Sequence, residues 1–259
     1  MGKIKVGVQL HPQHVSYAEY AEAVQKSESV GVDSIWNWDH FFPLYGEADG
    51  DHFECWTLLT AMATLTTRAE IGALVTCNSY RNPALLTHMA KTVDHISGGR
   101  LILGIGAGWF ERDYEEFGYE FGTAGSRLRD LGEALPIIKA RMSNEMPPPL
   151  RNPIPIMIGG GGEKVTLKLT AQHADLWNGF GPPDVFAHKC GVLDTWCAEI
   201  GRDPGEIERT VSLTDEGDIP GNLNAYADAG CTHFIMMTKV PPNYEKVEEL
   251  VAWRDRVNG

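Results

Sequence analysis

Asp39 and His40 stand side by side behind Trp36-Asn37-Trp38, at the end of an apolar run. A carboxylate beside an imidazole offers an ionised partner and a group that exchanges a proton near neutral pH, the two pieces of general acid–base chemistry. The competing reading is an Asp-His pair that only caps the next turn. A second feature is Gly159-Gly160-Gly161-Gly162, followed by Glu163 and Lys164. It follows an apolar run and opens a helical pattern. Backbone N–H groups left uncovered there form an anion site, to which Lys164, Arg81 or Arg112 could add charge. The Gly-Lys-Ser/Thr ending of a P-loop is missing. A third is Gly104-Ile105-Gly106-Ala107-Gly108-Trp109, where small residues let backbone approach a flat or phosphorylated ligand. A dinucleotide fingerprint would need a more distant third glycine and a helix start, and the pattern has neither. Thr76 and Asn78 close another apolar run and could hydrogen-bond a ligand.

Other chemistries find less support. His11 and His14 have metal-pair spacing, but no third and fourth ligand is evident, so no metal is expected and His11 is read as lining the site. No Gly-x-Ser-x-Gly elbow or Ser-His-Asp order occurs. Glycosidase carboxylates converge only in three dimensions, so that reading stays open. Large aromatics, Trp38, Trp109, Trp177 and Phe180 among them, gather near the same run ends and suggest a flat apolar pocket. Trp109 and Trp177 are assigned with His11 to the substrate side.

These residues must be held by a scaffold. Apolar runs at residues 4–10, 33–38, 69–76, 101–106, 154–158, 175–178, 210–213 and 233–238 read as strands. Helical patterns separate them, at 16–30, 54–66, 84–96, 128–138, 163–173, 184–200, 222–229 and 244–257. Eight alternations imply a parallel α/β sheet closed as a (β/α)8 TIM barrel, one domain over residues 1–259, with its site at the strand C-terminal ends. Met146-Pro147-Pro148-Pro149 is the one linker-like stretch and would mark the boundary of a two-domain alternative. Pro136 falls inside a helical pattern and should cost a hydrogen bond or cause a kink.

Of 259 residues, 22 are Lys or Arg and 35 Asp or Glu, a net charge of −13. That argues against non-specific nucleic-acid or membrane-surface binding, which needs a basic footprint. With 43% hydrophobic and 22% charged residues, the chain has ordinary globular composition. No apolar run is long enough for a membrane span, and no signal peptide is visible, so a cytoplasmic protein is expected. Five cysteines without CxxC spacing read as reduced thiols.

Taken together, the motifs resemble the bacterial luciferase-like flavin and deazaflavin oxidoreductases, closest to the branch that uses coenzyme F420. The resemblance rests on Tyr80-Arg81-Asn82-Pro83-Ala84-Leu85-Leu86, and on the stretch from Asp94-His95-Ile96-Ser97-Gly98-Gly99-Arg100 to Trp109. Asp39-His40, Arg127-Leu128-Arg129-Asp130-Leu131, Ile156-Met157-Ile158 with the four glycines, and Ala174-Asp175-Leu176-Trp177 support it. It implies a TIM barrel with a deazaflavin at the strand C-terminal ends and hydride transfer to or from a small organic substrate, an alcohol or an activated double bond. FMN-dependent monooxygenation and cofactor binding without turnover are the alternatives. It also implies a homodimer. It places a non-proline cis peptide near Ala73-Leu74, Thr76 and Asn78 on the cofactor, and Gly106, Ala107 and Gly108 at its border. Gly159, Gly160, Gly161, Gly162, Glu163 and Arg112 would hold its phosphate and acidic tail, Asp39 and His40 would stand beside the reactive ring carbon, and His40 would assist proton transfer.

The chain departs from that family at two points. Trp109 stands where sugar-phosphate dehydrogenases of this kind carry a catalytic Glu, which argues against sugar-phosphate oxidation. The chain is also short between Leu213 and Asn222 and around residues 147–149, which leads us to expect a more open substrate site.

Overall fold

The alternation of apolar runs and amphipathic segments folds as a closed ring of parallel strands wrapped by helices. The structure is a computed structural model and describes residues 2–144, 146–214 and 219–259. In chain order the elements are β1 (Lys5–Leu10), α1 (Tyr17–Val30), β2 (Ser34–Asn37), α2 (Cys55–Leu65), β3 (Glu70–Ala73), β4 (Thr76–Cys77), α3 (Pro83–Ser97), β5 (Leu101–Gly106), α4 (Glu111–Phe117) and α5 (Ala124–Asn144). Then follow β6 (Ile156–Gly159), α6 (Thr166–His173), β7 (Leu176–Gly179), α7 (Pro183–Ile200), β8 (Glu208–Thr214), α8 (Ile219–Asp228), β9 (His233–Thr238) and α9 (Tyr244–Asn258).

The strand order is β3-β2-β1-β9-β8-β7-β6-β5-β4, and β3 also pairs with β5 through Ile71↔Leu101 and Gly72↔Ile102. β4 continues along β5 through Thr76↔Ile105 and Cys77↔Gly106. β3 and β4 therefore share one position in an eight-position barrel. The run 69–76, expected as one strand, is broken at Leu74–Val75, which is a cis peptide. The resemblance put that bond one residue earlier, near Ala73-Leu74. The composition Ile-Gly-Ala-Leu-Val is uniformly apolar, so nothing in it marks the break.

The helix ends carry local signals. Ser16 and Glu19 form a capping box, and Gly31 ends α1 with φ +104°. Asn82 caps α3 and Pro83 opens it. Pro136 lies inside α5 without ending it. α6 starts at Thr166, three residues later than the pattern suggested, so the glycine run is followed by a turn. The stretch before α5 contains α4, a seven-residue helix with acidic residues in its first turn and left-handed Gly118 behind it.

Val6, Val8 and Leu10 alternate outward to the helical layer, while Trp36, Ile102, Met157, Leu176 and Ile235 pack inside the barrel. Gly72 makes room for Trp36, since a Cβ there would come to 2.5 Å from the indole. A polar belt closes the strand N-terminal ends. Lys5 Nζ lies 3.3 Å from Glu70 and 3.1 Å from Glu208, and His233 Nδ1 lies 3.3 Å from Glu208. His233 Nε2 meets Ser34 Oγ at 2.7 Å, and Trp36 Nε1 donates to the same hydroxyl at 2.8 Å. Burial pushes the Glu208 carboxyl up, but His233 and Lys5 outweigh it and hold it down at about 2.

Candidate active site

At the opposite end, where the β strands deliver their C-terminal residues, lies a cavity of about 550 Å³. That volume is in the range of small-molecule and cofactor sites. Its walls bring together residues from most of the strand ends: Gln9 of β1, Asp39 and His40 after β2, Leu74 to Cys77 around β4, Gly106 to Trp109 from the end of β5, Gly159 and Gly160 from the end of β6, Asn178 of β7 and Met237 of β9.

The small residues are required by packing. Val75 projects over β5 and β6. A Cβ on Gly106 would come to 2.7 Å from its methyl group, and one on Gly159 to 2.9 Å. Gly108 has φ +82°, and a Cβ there would collide with the Tyr114 hydroxyl and Cys77 Sγ. Gln9 Nε2 donates to the Leu74 carbonyl at 2.5 Å, pinning the strand break from inside the barrel. Thr76 lines this wall, and its hydroxyl is buried without a hydrogen-bond partner. Such a group is expected to be satisfied by a ligand or an ordered water.

Asp39 and His40 turn to different partners. Asp39 is fully buried. It accepts from Arg81 Nη1 at 2.5 Å, from Arg81 Nη2 at 3.0 Å and from the Cys77 backbone N–H at 2.9 Å. Arg81 also donates to Glu54 at 2.5 Å. Burial pushes the Asp39 carboxyl above its usual range, with Arg81 pulling the other way. Asp39 is thus not the carboxylate partner of His40.

That partner is Asp113, on α4. His40 Nδ1 lies 2.7 Å from Asp113 Oδ2. Tyr80 Oη donates to the same oxygen at 3.0 Å, and the N–H groups of Phe41 and Phe42 donate to Oδ1 at 3.1 and 3.2 Å. Besides the imidazole, three donors converge on this one buried side chain, an array that suits an ionised carboxylate and makes Nδ1 the donor of the pair. Nδ1 therefore carries its proton, and Nε2 is the nitrogen left to meet a ligand. Burial, with the nearby Cys77 thiol and Asp113, keeps the Tyr80 phenol protonated and a donor. Around the imidazole stand Phe110 at 5.5 Å, Trp109 at 5.7 Å and Trp38 at 6.1 Å, all edge to face.

Trp38 Nε1 donates to His52 Nε2 at 2.8 Å. Burial, reinforced by His40, lowers His52 to about 4, so it is neutral and accepts. His11 stacks on Trp38 with ring centroids 4.3 Å apart. His11, expected to line the site, is outside the cavity lining.

A groove adjoins the cavity at Leu128 and is lined by Gly161, Gly162, Glu163, Lys164 and Lys189. Glu163 accepts from Lys189 Nζ at 2.5 Å and faces His188 at 3.1 Å. The Trp196 indole holds the Glu163 carbonyl at 2.7 Å. Trp177, expected on the substrate side, is fully buried against Phe186, and its indole holds the Gly160 carbonyl at 2.8 Å. It positions the glycine run from behind.

Arg112 lies outside both linings: it donates to Asp49 and to the Ala48 carbonyl, and stacks on Phe42 at 4.0 Å. Asn78 sits in a short 3-10 turn with its Oδ1 buried and unpartnered, outside the cavity lining. Ala73 is buried at the end of β3, beneath the lining. The turn around 147–149 sits before β6, at the other end of the barrel, held by Asp94 through the Leu150 and Arg151 N–H groups. It has no part in the cavity wall. Of the other shortened stretch, between Leu213 and Asn222, residues 215–218 lie outside the described residues.

Among the described residues no cluster of three metal-ligating side chains occurs, and no helix is long and apolar enough to cross a membrane.

The sequence model of the family described as Luciferase-like monooxygenase matches residues 3–214. An F420-dependent glucose-6-phosphate dehydrogenase of Amycolatopsis mediterranei (strain U-32) is 32% identical over 139 residues, 52% of this chain and 41% of that protein. The match thus spans less than half of that relative's length. Among solved structures, an F420-dependent secondary alcohol dehydrogenase in complex with an F420-acetone adduct superposes with a TM-score of 0.82 at 17% identity, covering 95% of this chain and 97% of that one. The coenzyme F420 dependent tetrahydromethanopterin reductase of Methanopyrus kandleri superposes with a TM-score of 0.80 at 16% identity, covering 98% of each chain.

Proposed function

We propose, from the premise that this chain belongs to the luciferase-like monooxygenase family, that it is a coenzyme F420-dependent oxidoreductase acting on a small organic alcohol or carbonyl compound. The observation that carries the reading is the His40–Asp113 pair set into the wall of a glycine-lined cavity with an unsatisfied Thr76 hydroxyl. The F420-dependent relative and structural neighbours support the choice of cofactor.

The residues present fit a deazaflavin. Leu74 to Thr76, Gly106 to Gly108 and Gly159 form a surface with few side chains for a flat ring, and Thr76 offers it a free hydroxyl. Gly161, Gly162 and Lys164 in the adjoining groove would hold its phosphate and acidic groups. When bound, a deazaflavin supplies two-electron hydride chemistry.

The chain's part is to manage the proton. Oxidising an alcohol to a carbonyl removes a hydride from carbon and a proton from oxygen. His40 Nε2 takes that proton, or returns it in the reverse direction, and Asp113 stabilises the imidazolium that results. Asp39 does not exchange protons with substrate. Paired to Arg81, it ties the segment that follows β2 to the N–H of Cys77, and so aligns two cavity walls.

The test is the cofactor retained by the protein when it is produced in a host that makes both F420 and FMN. Native mass spectrometry should find F420. Retention of FMN, followed by oxygen uptake on its reduction, would overturn the reading in favour of a monooxygenase.

A further inference from the structure

The cavity wall around His40 carries little charge of its own. Among the described residues that line it, the acidic, basic and imidazole side chains are Asp39, His40 and Arg127. Asp39 is neutralised by Arg81. Arg127 is spent on main chain, donating to the Gly108 carbonyl at 3.1 Å and the Phe121 carbonyl at 2.8 Å while its guanidinium stacks on Phe121 at 3.9 Å. A substrate phosphate or carboxylate entering here would exchange water for an apolar wall without gaining a cation, which is strongly unfavourable.

Large rings are abundant instead. Trp109 is 63% exposed, Tyr45 60% and Phe180 50%, and all three line the cavity with the more buried Trp38. Aromatic faces left open to water in one place mark a ligand surface. Trp109 and Trp38 also stand edge to face with His40, so these rings and the imidazole share one part of the cavity wall.

We infer that the substrate is an uncharged molecule that carries a flat apolar ring beside the hydroxyl or carbonyl presented to His40. This rests on the reading of the cavity as an alcohol or carbonyl site, but not on which cofactor fills it.

Calorimetric titration of the purified protein tests it, with and without added F420. The probes are 1-phenylethanol, mandelate, which puts a carboxylate in place of the methyl group, and 2-propanol, which lacks the ring. We expect 1-phenylethanol to bind at least tenfold more tightly than either other probe, Trp109→Ala to weaken it about tenfold, and Trp109→Phe to restore most of the loss. Mandelate or 2-propanol binding as tightly as 1-phenylethanol would overturn the inference, as would failure of 1-phenylethanol to bind in either state. Loss of the cofactor reading alone has a different signature: F420 does not bind, and the preference for 1-phenylethanol persists.

Discussion

Asp113→Asn probes the centre of the site with nearly no change of shape. Asp113 is fully buried and accepts four hydrogen bonds. Asn keeps one oxygen for the Phe41 and Phe42 amides. Its amide NH2 then faces two former donors, the His40 Nδ1–H and the Tyr80 hydroxyl. Two hydrogen bonds to a charged acceptor are lost, each contributing about 1.5–3 kcal/mol. Part of this returns if His40 moves its proton to Nε2 and Tyr80 turns a lone pair toward the amide. The net loss should be about 2–3 kcal/mol, a fall in Tm of roughly 5–10 °C. The tautomer shift is the sharper signature. Two-dimensional 15N–1H NMR of the imidazoles should show His40 protonated at Nδ1 in the parent and at Nε2 in the variant. A ring with its proton at Nε2 cannot accept one there, so turnover at neutral pH should fall about a hundredfold or more. An unchanged His40 tautomer with stability within about 0.5 kcal/mol of the parent would refute the assignment of Asp113 as the residue that orients His40.

Three further outcomes follow from buried charges. Arg81→Met leaves the buried Asp39 carboxylate without its cation and should cost about 3–5 kcal/mol in denaturant unfolding, far more than an exposed ion pair. A loss under 1 kcal/mol would show that Asp39 is not held as a charged partner. His52 is lowered from 6.5 to about 4 by burial, so its neutral form stabilises the fold fully above pH 6.5, and that contribution is lost as pH falls toward 4. Between pH 7 and pH 5 the parent should lose up to about 2 kcal/mol more than His52→Gln. Equal slopes for both proteins would contradict the burial of His52 in its neutral form. Glu208 is held at about 2 against an ordinary 4.5, so its contribution is present above pH 4.5 and is lost as pH falls through that window toward 2. Glu208→Gln should therefore be less stable than the parent by about 3 kcal/mol at pH 7, with the gap closing below pH 4; a gap independent of pH would exclude the charge as its source.

The barrel was legible because buried parallel strands read as short apolar runs and their helices carry separate caps, as Ser16 with Gly31 and Asn82 with Pro83 show. The glycines were legible for a packing reason, since Gly106, Gly108 and Gly159 stand where a Cβ would strike a neighbour. What sequence spacing concealed is direction and distant pairing. Asp39 and His40 are adjacent, and adjacent residues in extended chain point to opposite sides, so one meets Arg81 and the other meets Asp113, 73 positions away. The same alternation puts Asn178 on the cavity and Trp177 behind it, which the spacing of Trp177 could have revealed. Asp113 itself was hidden because α4 is too short for a periodic pattern. Its signal was the acidic first turn, with Gly118 closing the helix. Arg112 could not be placed from sequence, because a long cation goes to whichever carboxylate the fold brings near, here Asp49.

The central claim is that the glycine-lined cavity beside His40 is a deazaflavin site. Titration of the purified protein with F420 and, separately, with FMN, followed by cofactor fluorescence, tests it most directly. The account predicts micromolar or tighter binding of F420, with little response to FMN. Preferential binding of FMN, or binding of neither, would contradict it.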